Sequence, residues 1–234
     1  MLALGGGAVM PPLLGLVLGV DQHLAQALSL GALLPPVGLP ALFAYRKAGV
    51  RFDVRLGLAL VAGFVAGAPG GAWLAQRLSG PVLRWTFAAF LVVTAARALR
   101  ARESEPREDA ADRPRVPIAA GVAIGAAAGA LSGLLGIGGG VVALVLLRAT
   151  GRLTRLEAQA NTLLMMLPPV GVPALVVYAH GLGGLPWSIV AAIAVGFTIG
   201  AAIGGRLAVR VPRASAAKIY GAALLGLAAL VILR

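Results

Sequence analysis

Apolar runs follow one another along this chain, separated by short gaps. A transmembrane helix needs about 20 predominantly apolar residues. The runs are Leu2–Val20, Leu24–Tyr45, Leu56–Trp73, Val82–Ala96, Val116–Leu147, Ala158–Tyr178, Leu185–Gly205 and Ile219–Leu233. Only 12% of the residues are charged, roughly half the share of a soluble domain. Because a soluble domain of this size could not bury so much apolar surface, the pattern predicts an all-α integral membrane protein.

The charged residues also exclude several classes of function. The formal net charge is +12, but the basic residues lie between apolar runs, as in cytoplasmic loops beside anionic lipid. We therefore expect a multi-pass protein of the cell (inner) membrane, in contact with the lipid bilayer and with no nucleic-acid partner. Cysteine is absent, and the sequence has no metal-ligand spacing, phosphate loop or nucleophile elbow. We expect no metal, no cofactor and no enzymatic activity.

The chain contains one hydrophobic repeat in two copies, 133 residues apart. The block Leu34–Leu42 aligns with Leu167–Leu175 and is identical to it at eight of nine positions. We predict a first transmembrane repeat at 1–99, a charged linker at 100–115 and a second repeat at 116–234. The second copy has an apolar stretch before its glycine cluster that the first copy lacks. The first repeat is therefore expected to lack its N-terminal helix, either natively or through a late start site.

The basic residues do not occupy equivalent gaps in the two copies. The gap between the second and third runs holds Arg46, Lys47, Arg51 and Arg55, whereas the equivalent gap of the second copy, His180 to Pro186, holds no Lys or Arg. Such a reversal is typical of inverted repeats. It requires the fifth run to break at Gly136–Gly140, and the short piece after the break is then expected to be re-entrant. Parallel copies of about four plain crossings each are the alternative.

A cluster of three adjacent glycines lies in an apolar run of each copy. The clusters are Gly5, Gly6 and Gly7 in the first copy and Gly138, Gly139 and Gly140 in the second. Close helix packing would explain them. A helix broken inside the membrane would also explain them, and its free N–H groups and positive dipole end would bind an anion. The equivalent positions in both copies favour broken helices.

Neutral polar side chains and prolines follow each glycine cluster. Gln26 and Ser29 in the first copy correspond to Gln159, Asn161 and Thr162 in the second. They are candidates either for interhelical hydrogen bonds or for lining an anion site. Proline pairs follow in both copies, and each must bend or break its helix and could act as a gate. These pairs are Pro35 with Pro36 and Pro168 with Pro169.

The segment Leu131–Gly140, followed by the Ala-x-Ala-x-Thr element at Ala158–Thr162, resembles the sulfite exporter TauE/SafE family of membrane permeases. The resemblance covers nearly the whole chain and implies a multi-pass plasma-membrane transporter of sulfur-containing anions such as sulfite and sulfonates, or of other small organic anions. The first copy departs from the motif. Ala3 replaces its leading glycine, and Leu28 stands where the second copy has Asn161.

Together these features predict a secondary permease for a small anion. The two glycine clusters would offer backbone donors, and Ser29, Asn161 and Thr162 would add side-chain donors with Gln26 and Gln159 in support. Transport would alternate access around that site. An anion channel and a non-transporting membrane assembly or accessory protein are the alternatives, and a homodimer stays open.

Overall fold

A computed structural model describes residues 2–35, 38–100, 114–208 and 213–233. Over these residues the chain forms α-helices and no strands, so the all-α prediction is confirmed. The helices are α1 (Leu2–Leu18), α2 (Gln22–Ala32), α3 (Leu39–Lys47), α4 (Val54–Arg77), α5 (Gly80–Arg100), α6 (Ile118–Leu135), α7 (Gly140–Ala149), α8 (Arg155–Met165), α9 (Val172–Gly181), α10 (Trp187–Ala208) and α11 (Arg213–Leu233). Most of the predicted charged linker lies outside the described residues, and α5 continues as far as Arg100.

Where the structure describes the chain, two helices, α4 and α6, are long and apolar enough to cross a membrane. They have 24 and 18 residues, which correspond to about 36 and 27 Å at the α-helical rise. Several shorter helices are also apolar, among them α7 and α9. The architecture therefore combines full-length helices with helices of about half that length.

Glycines bring α4 and α6 into backbone contact. Gly63, Gly67 and Gly71 of α4 are four residues apart, and a β-carbon on any of them would collide with a carbonyl oxygen of α6. The oxygens belong, in the same order, to Val122, Ala126 and Ala130. Since the contacts advance in the same direction on both helices, α4 and α6 are parallel. This is the small-residue packing that joins helices in lipid, where the hydrophobic effect does not drive association.

Two hydrogen bonds and one apolar contact define the two ends of the bundle. Arg152 donates to the carbonyl of Arg115 (2.8 Å), which places the α7–α8 loop beside the start of α6. The start of α4 lies at the same end, because Leu56 lies against Gly121 of α6. We call this the basic end. His23 Nε2 lies 3.0 Å from the carbonyl oxygen of Ala75, so the start of α2 lies beside the end of α4. We call this the opposite end.

The proline pairs lie where helices stop. Pro168 and Pro169 fall between α8 and α9, and Pro35 lies between α2 and α3. Pro36 is outside the described residues. Because proline lacks an N–H donor and disfavours helix in the residue before it, the predicted break of the helix is confirmed at Pro168 and Pro169. A gating role for the prolines stays a prediction.

The break predicted at the first glycine cluster is not found. Gly5, Gly6 and Gly7 lie inside α1, which continues from Leu2 to Leu18. In the second copy, the helix before the cluster ends at Gly136 in the left-handed conformation, with φ of 71°. The aligned residue in the first copy is Ala3, whose side chain disfavours that conformation by about 1–2 kcal/mol. The first copy therefore lacks the residue that makes the turn.

Candidate functional site

The chain reverses its direction between α6 and α7. Gly136, Gly138 and Gly139 have φ of 71°, 74° and 68°, a region that glycine adopts at little cost and other residues rarely adopt. Gly136 ends α6 by donating its N–H to the carbonyl of Ser132 (2.7 Å). The predicted break in the fifth apolar run is therefore confirmed, and its physical cause is three left-handed glycines in four residues.

After the turn, α7 runs back along α6 and covers only part of its length. A β-carbon on Gly139 would lie 2.5 Å from Phe64 Cε2 and 2.8 Å from the carbonyl oxygen of Ala128, in the middle of α4 and α6. The loop that follows α7 reaches the start of α6 through Arg152. With 10 residues, α7 is about 15 Å long. Its N-terminus is therefore deep in the bundle and its C-terminus is at the basic end.

The N-terminus of α7 offers unpaired amides at this depth. The first amides of an α-helix have no acceptor within the helix. Over the described residues, no hydrogen bond is found from the N–H groups of Gly140, Val141 and Val142. Gly139, the N-cap residue, has no side chain to cap them. Together with the helix dipole, these groups make the N-terminus of α7 electropositive.

Gln26 on α2 lies directly against the turn. A β-carbon on Gly136 would be 2.7 Å from the Gln26 Cα. Gln26 is fully buried, and its Oε1 accepts a hydrogen bond of 2.7 Å from the hydroxyl of Tyr178. That hydroxyl shares its hydrogen with the carbonyl of Gly133, at 2.9 Å. The Gln26 Nε2 is buried and has no partner among the described residues, so the amide group is held by its oxygen and leaves two N–H donors free.

Two buried serines join this set. The hydroxyls of Ser29 on α2 and Ser132 on α6 are fully buried and have no hydrogen-bond partner in the described part of the chain. Ser29 follows Gln26 by three residues, on the same face of α2. Ser132 lies one turn beyond Ala128, whose carbonyl contacts the Gly139 position. A buried polar group without a partner is costly, so these three groups are available to donate hydrogen bonds to a ligand or to water.

The predicted residues of the second copy have a different arrangement. Asn161 accepts a hydrogen bond from the amide of Asp53 (3.1 Å) and donates to the carbonyl of Glu157 (2.9 Å), so both ends of its side chain are used. The hydroxyl of Thr162 donates to the carbonyl of Ala158 (2.8 Å). Gln159 is also buried, at 4% exposure. The structure thus places Gln26 against the turn and Ser29 one helical turn further along α2, whereas Asn161 links α8 to the start of α4. A role for Gln159, Asn161 and Thr162 in binding stays a prediction.

Gly7 of the first glycine cluster lies against the turn that precedes α7. A β-carbon on Gly7 would lie 2.5 Å from the carbonyl oxygen of Ile137, so α1 packs against the turn. Gly5 and Gly6 lie one turn or less before this contact, inside the helix. The two clusters are therefore neighbours, but only the second presents a helix N-terminus.

Two residues of this site, Ser132 and Tyr178, were not predicted from the sequence. Ser132 lies in the glycine-rich segment Leu131–Gly140, four residues before Gly136, and this spacing was the available signal. For Tyr178 no local signal exists, because its partner Gln26 is 152 residues away in the chain.

The chain was compared with known protein families, curated proteins and solved structures. The sulfite exporter TauE/SafE family matches residues 1–231 of the 234-residue chain. No curated protein and no solved structure matches it. Because the match covers nearly the whole sequence, the chain belongs to the sulfite exporter TauE/SafE family, a family of membrane transporters.

Proposed function

We propose that this chain is a multi-pass secondary transporter of the cell (inner) membrane that carries a small anion, a sulfur oxyanion such as sulfite or a short organosulfonate. One observation supports this most directly. The unpaired amides of α7 begin deep in the bundle, and Gln26, Ser29 and Ser132 contribute buried donors that have no partner among the described residues. These side chains are all neutral. Neutral donors bind an anion less tightly than a buried cation would, so the anion can also dissociate.

We further propose that the two halves are inverted repeats. Four helices of the first half have an equivalent in the second half that begins 133 residues later. The pairs are α2 (start 22) with α8 (155), α3 (39) with α9 (172), α4 (54) with α10 (187), and α5 (80) with α11 (213). The equivalent helices α2 and α8 begin from different ends, since His23 lies beside the end of α4 and Asn161 beside its start. Entry from opposite ends is what inverted repeats require.

The charge distribution supports an orientation for this arrangement. At the basic end lie Arg46, Lys47, Arg51, Arg55, Arg115, Arg148, Arg152 and Arg155. The described part of the opposite end has Arg77 and Arg84. Since cytoplasmic loops carry the excess of Lys and Arg, we assign the basic end to the cytoplasm.

The ends of α2 and α8 suggest how access alternates. A β-carbon on Gly138 would lie 2.9 Å from Leu33 Cδ1, just after α2, and 3.4 Å from Met166 Cε, just after α8. Because α2 comes from the opposite end and α8 from the basic end, Leu33 lies between the turn and the opposite end, and Met166 lies between the turn and the basic end. Rocking of one repeat against the other would open one flank and close the other. In this scheme Gln159 and Thr162, on the face of α8 that leads to Met166, line the cytoplasmic half of the path.

Flux measurements in proteoliposomes test the proposal. We would compare sulfite, sulfate, thiosulfate and short sulfonates, using the wild type, Ser132→Ala and a control, Ser188→Ala, which changes an exposed serine at the start of α10. We expect saturable flux of at least one of these anions. Because a hydrogen bond to a charged group is worth about 1.5–3 kcal/mol, Ser132→Ala should lower the apparent affinity at least tenfold, and Ser188→Ala should not.

Three results would contradict the proposal. Absence of flux for every anion would refute transport of this substrate class. Flux that never saturates would indicate a channel. Equal affinity in Ser132→Ala and Ser188→Ala would remove the turn as the binding site.

A further inference from the structure

A cavity of about 250 Å³ lies at the opposite end, between the end of α1, the start of α2, α5 and α11. Its polar lining comes from Asp21, Gln22 and Arg84, and its apolar lining includes Leu16 and Leu230. It is separate from the turn at Gly136–Gly140, and no residue of the proposed binding site lines it.

One face of α2 joins this cavity to the turn. Gln22, Gln26, Ser29 and Leu33 follow one another at spacings of four, three and four residues, which places them in one stripe along the helix. Gln22 lines the cavity, Gln26 lies against Gly136, and Leu33 lies against the Gly138 position. Three side chains of the stripe each have a buried polar atom without a partner among the described residues, the Nε2 of Gln22, the Nε2 of Gln26 and the hydroxyl of Ser29.

Arg84 supplies a cation that no described carboxylate neutralises. In the described part of the chain, its guanidinium forms neither an ion pair nor a hydrogen bond. The nearby Asp21 is occupied as the N-cap of α2, where it accepts from the amide of Leu24 (2.9 Å), and it lies 4.0 Å from His23 Nδ1. An arginine in this position can bind an oxyanion through two parallel N–H groups.

We propose that this cavity is an extracytoplasmic anion-binding site, in which Arg84 captures the sulfur oxyanion or sulfonate and Gln22 passes it to the donor stripe of α2. The inference rests on the proposed function, because it uses the same substrate and places the site at the non-cytoplasmic mouth of its path. A positive charge at the mouth raises the local concentration of anions. The neutral donors of the α2 stripe then bind the anion without holding it as strongly as a cation would.

Arg77 provides a matched control. It is an arginine at the same end of the bundle, but its guanidinium stacks over the ring of Trp73, 3.9 Å from the centroid, and it does not line the cavity. Replacing either arginine by glutamine removes one positive charge from the same face. A difference between Arg84→Gln and Arg77→Gln therefore reports on the cavity and not on net charge.

The test has a kinetic arm and a binding arm. In the kinetic arm, sulfite flux is measured in proteoliposomes from the extracytoplasmic side. We expect Arg84→Gln to raise the KM about tenfold or more, the effect of losing one charged hydrogen bond, with the maximal rate within about twofold. Arg77→Gln should match the wild type. In the binding arm, labelled sulfite is titrated onto detergent-solubilised protein, where Arg84→Gln and Ser132→Ala should each remove a separate binding component.

The outcomes separate the two proposals. Equal KM values in Arg84→Gln and Arg77→Gln, or a binding isotherm that Arg84→Gln does not change, would overturn the cavity as a site. If the wild type shows no flux but binds sulfite in a manner that depends on Arg84, the cavity site stands and the proposed transport is refuted. If Arg84→Gln lowers the maximal rate and leaves the KM unchanged, Arg84 is not a capture residue and the proposal falls.

Discussion

Replacing Gly138 by alanine separates the role of the turn in binding from its role in folding. Gly138 has φ of 74°, so an alanine there costs about 1–2 kcal/mol, partly offset by about 0.4–1 kcal/mol from the lower entropy of the unfolded chain. The new methyl group would lie 2.9 Å from Leu33 Cδ1 and 3.4 Å from Met166 Cε. Both are ends of flexible side chains and can move, so we expect a net loss of roughly 1 kcal/mol in the free energy of unfolding.

Gly151 allows a matched comparison. Its φ is 66°, and a β-carbon there would meet no atom within 4 Å. Gly151→Ala therefore carries the same backbone cost as Gly138→Ala, at a surface loop far from the turn. Thermal unfolding in detergent should show similar midpoint shifts for the two variants, about 2–4 °C by the scaling for soluble domains of this size.

The apparent affinity of transport should distinguish Gly138→Ala from Gly151→Ala. The methyl group of Gly138→Ala occupies the space between the ends of α2 and α8, in front of the α7 amides, and we expect it to displace the anion from at least one charged hydrogen bond. Such a bond is worth about 1.5–3 kcal/mol, or a tenfold to hundredfold loss of apparent affinity. The assay is saturable sulfite uptake in proteoliposomes, normalised to folded protein. If Gly138→Ala and Gly151→Ala transport equally well, the turn does not form the site.

Two further predictions concern the packing around the site. Gly67→Ala would drive a methyl group into the carbonyl oxygen of Ala126, a backbone atom that cannot rotate away, and should destabilise the protein by at least about 2 kcal/mol. Gly70→Ala, on the same helix with no atom within 4 Å, should be neutral or stabilising by up to about 1 kcal/mol, and similar melting temperatures for these two variants would contradict the α4–α6 contact. Tyr178→Phe removes the hydroxyl that holds the Gln26 oxygen, and its expected cost of about 1–3 kcal/mol in unfolding free energy, measured by thermal or denaturant unfolding, should come with weaker sulfite binding. Unchanged binding and stability in Tyr178→Phe would show that the Gln26 amide needs no support.

The sequence by itself determined the helical class, the family and the position of the helix break at Gly136–Gly140. Apolar runs of bilayer length leave few folds other than helices, because backbone groups in lipid must be satisfied within the segment. Three glycines together, preceded by another at 136, marked the turn because only glycine adopts left-handed backbone at little cost. Prolines 168 and 169 marked the end of α8 for an equally local reason, the missing N–H donor.

Only the tertiary structure decided which polar residues keep free donors. Asn161 and Ser29 both looked like site residues, but Asn161 is bonded to Asp53, 108 residues away, and Ser29 has no partner in the described chain. Tyr178 and Gln26 meet across the two halves. Hydrogen-bond satisfaction depends on what lies a few ångströms away after folding. Local sequence does not show which residues become such neighbours. The glycine motif therefore predicts where the turn lies, and the fold decides which nearby side chains keep free hydrogen-bond donors.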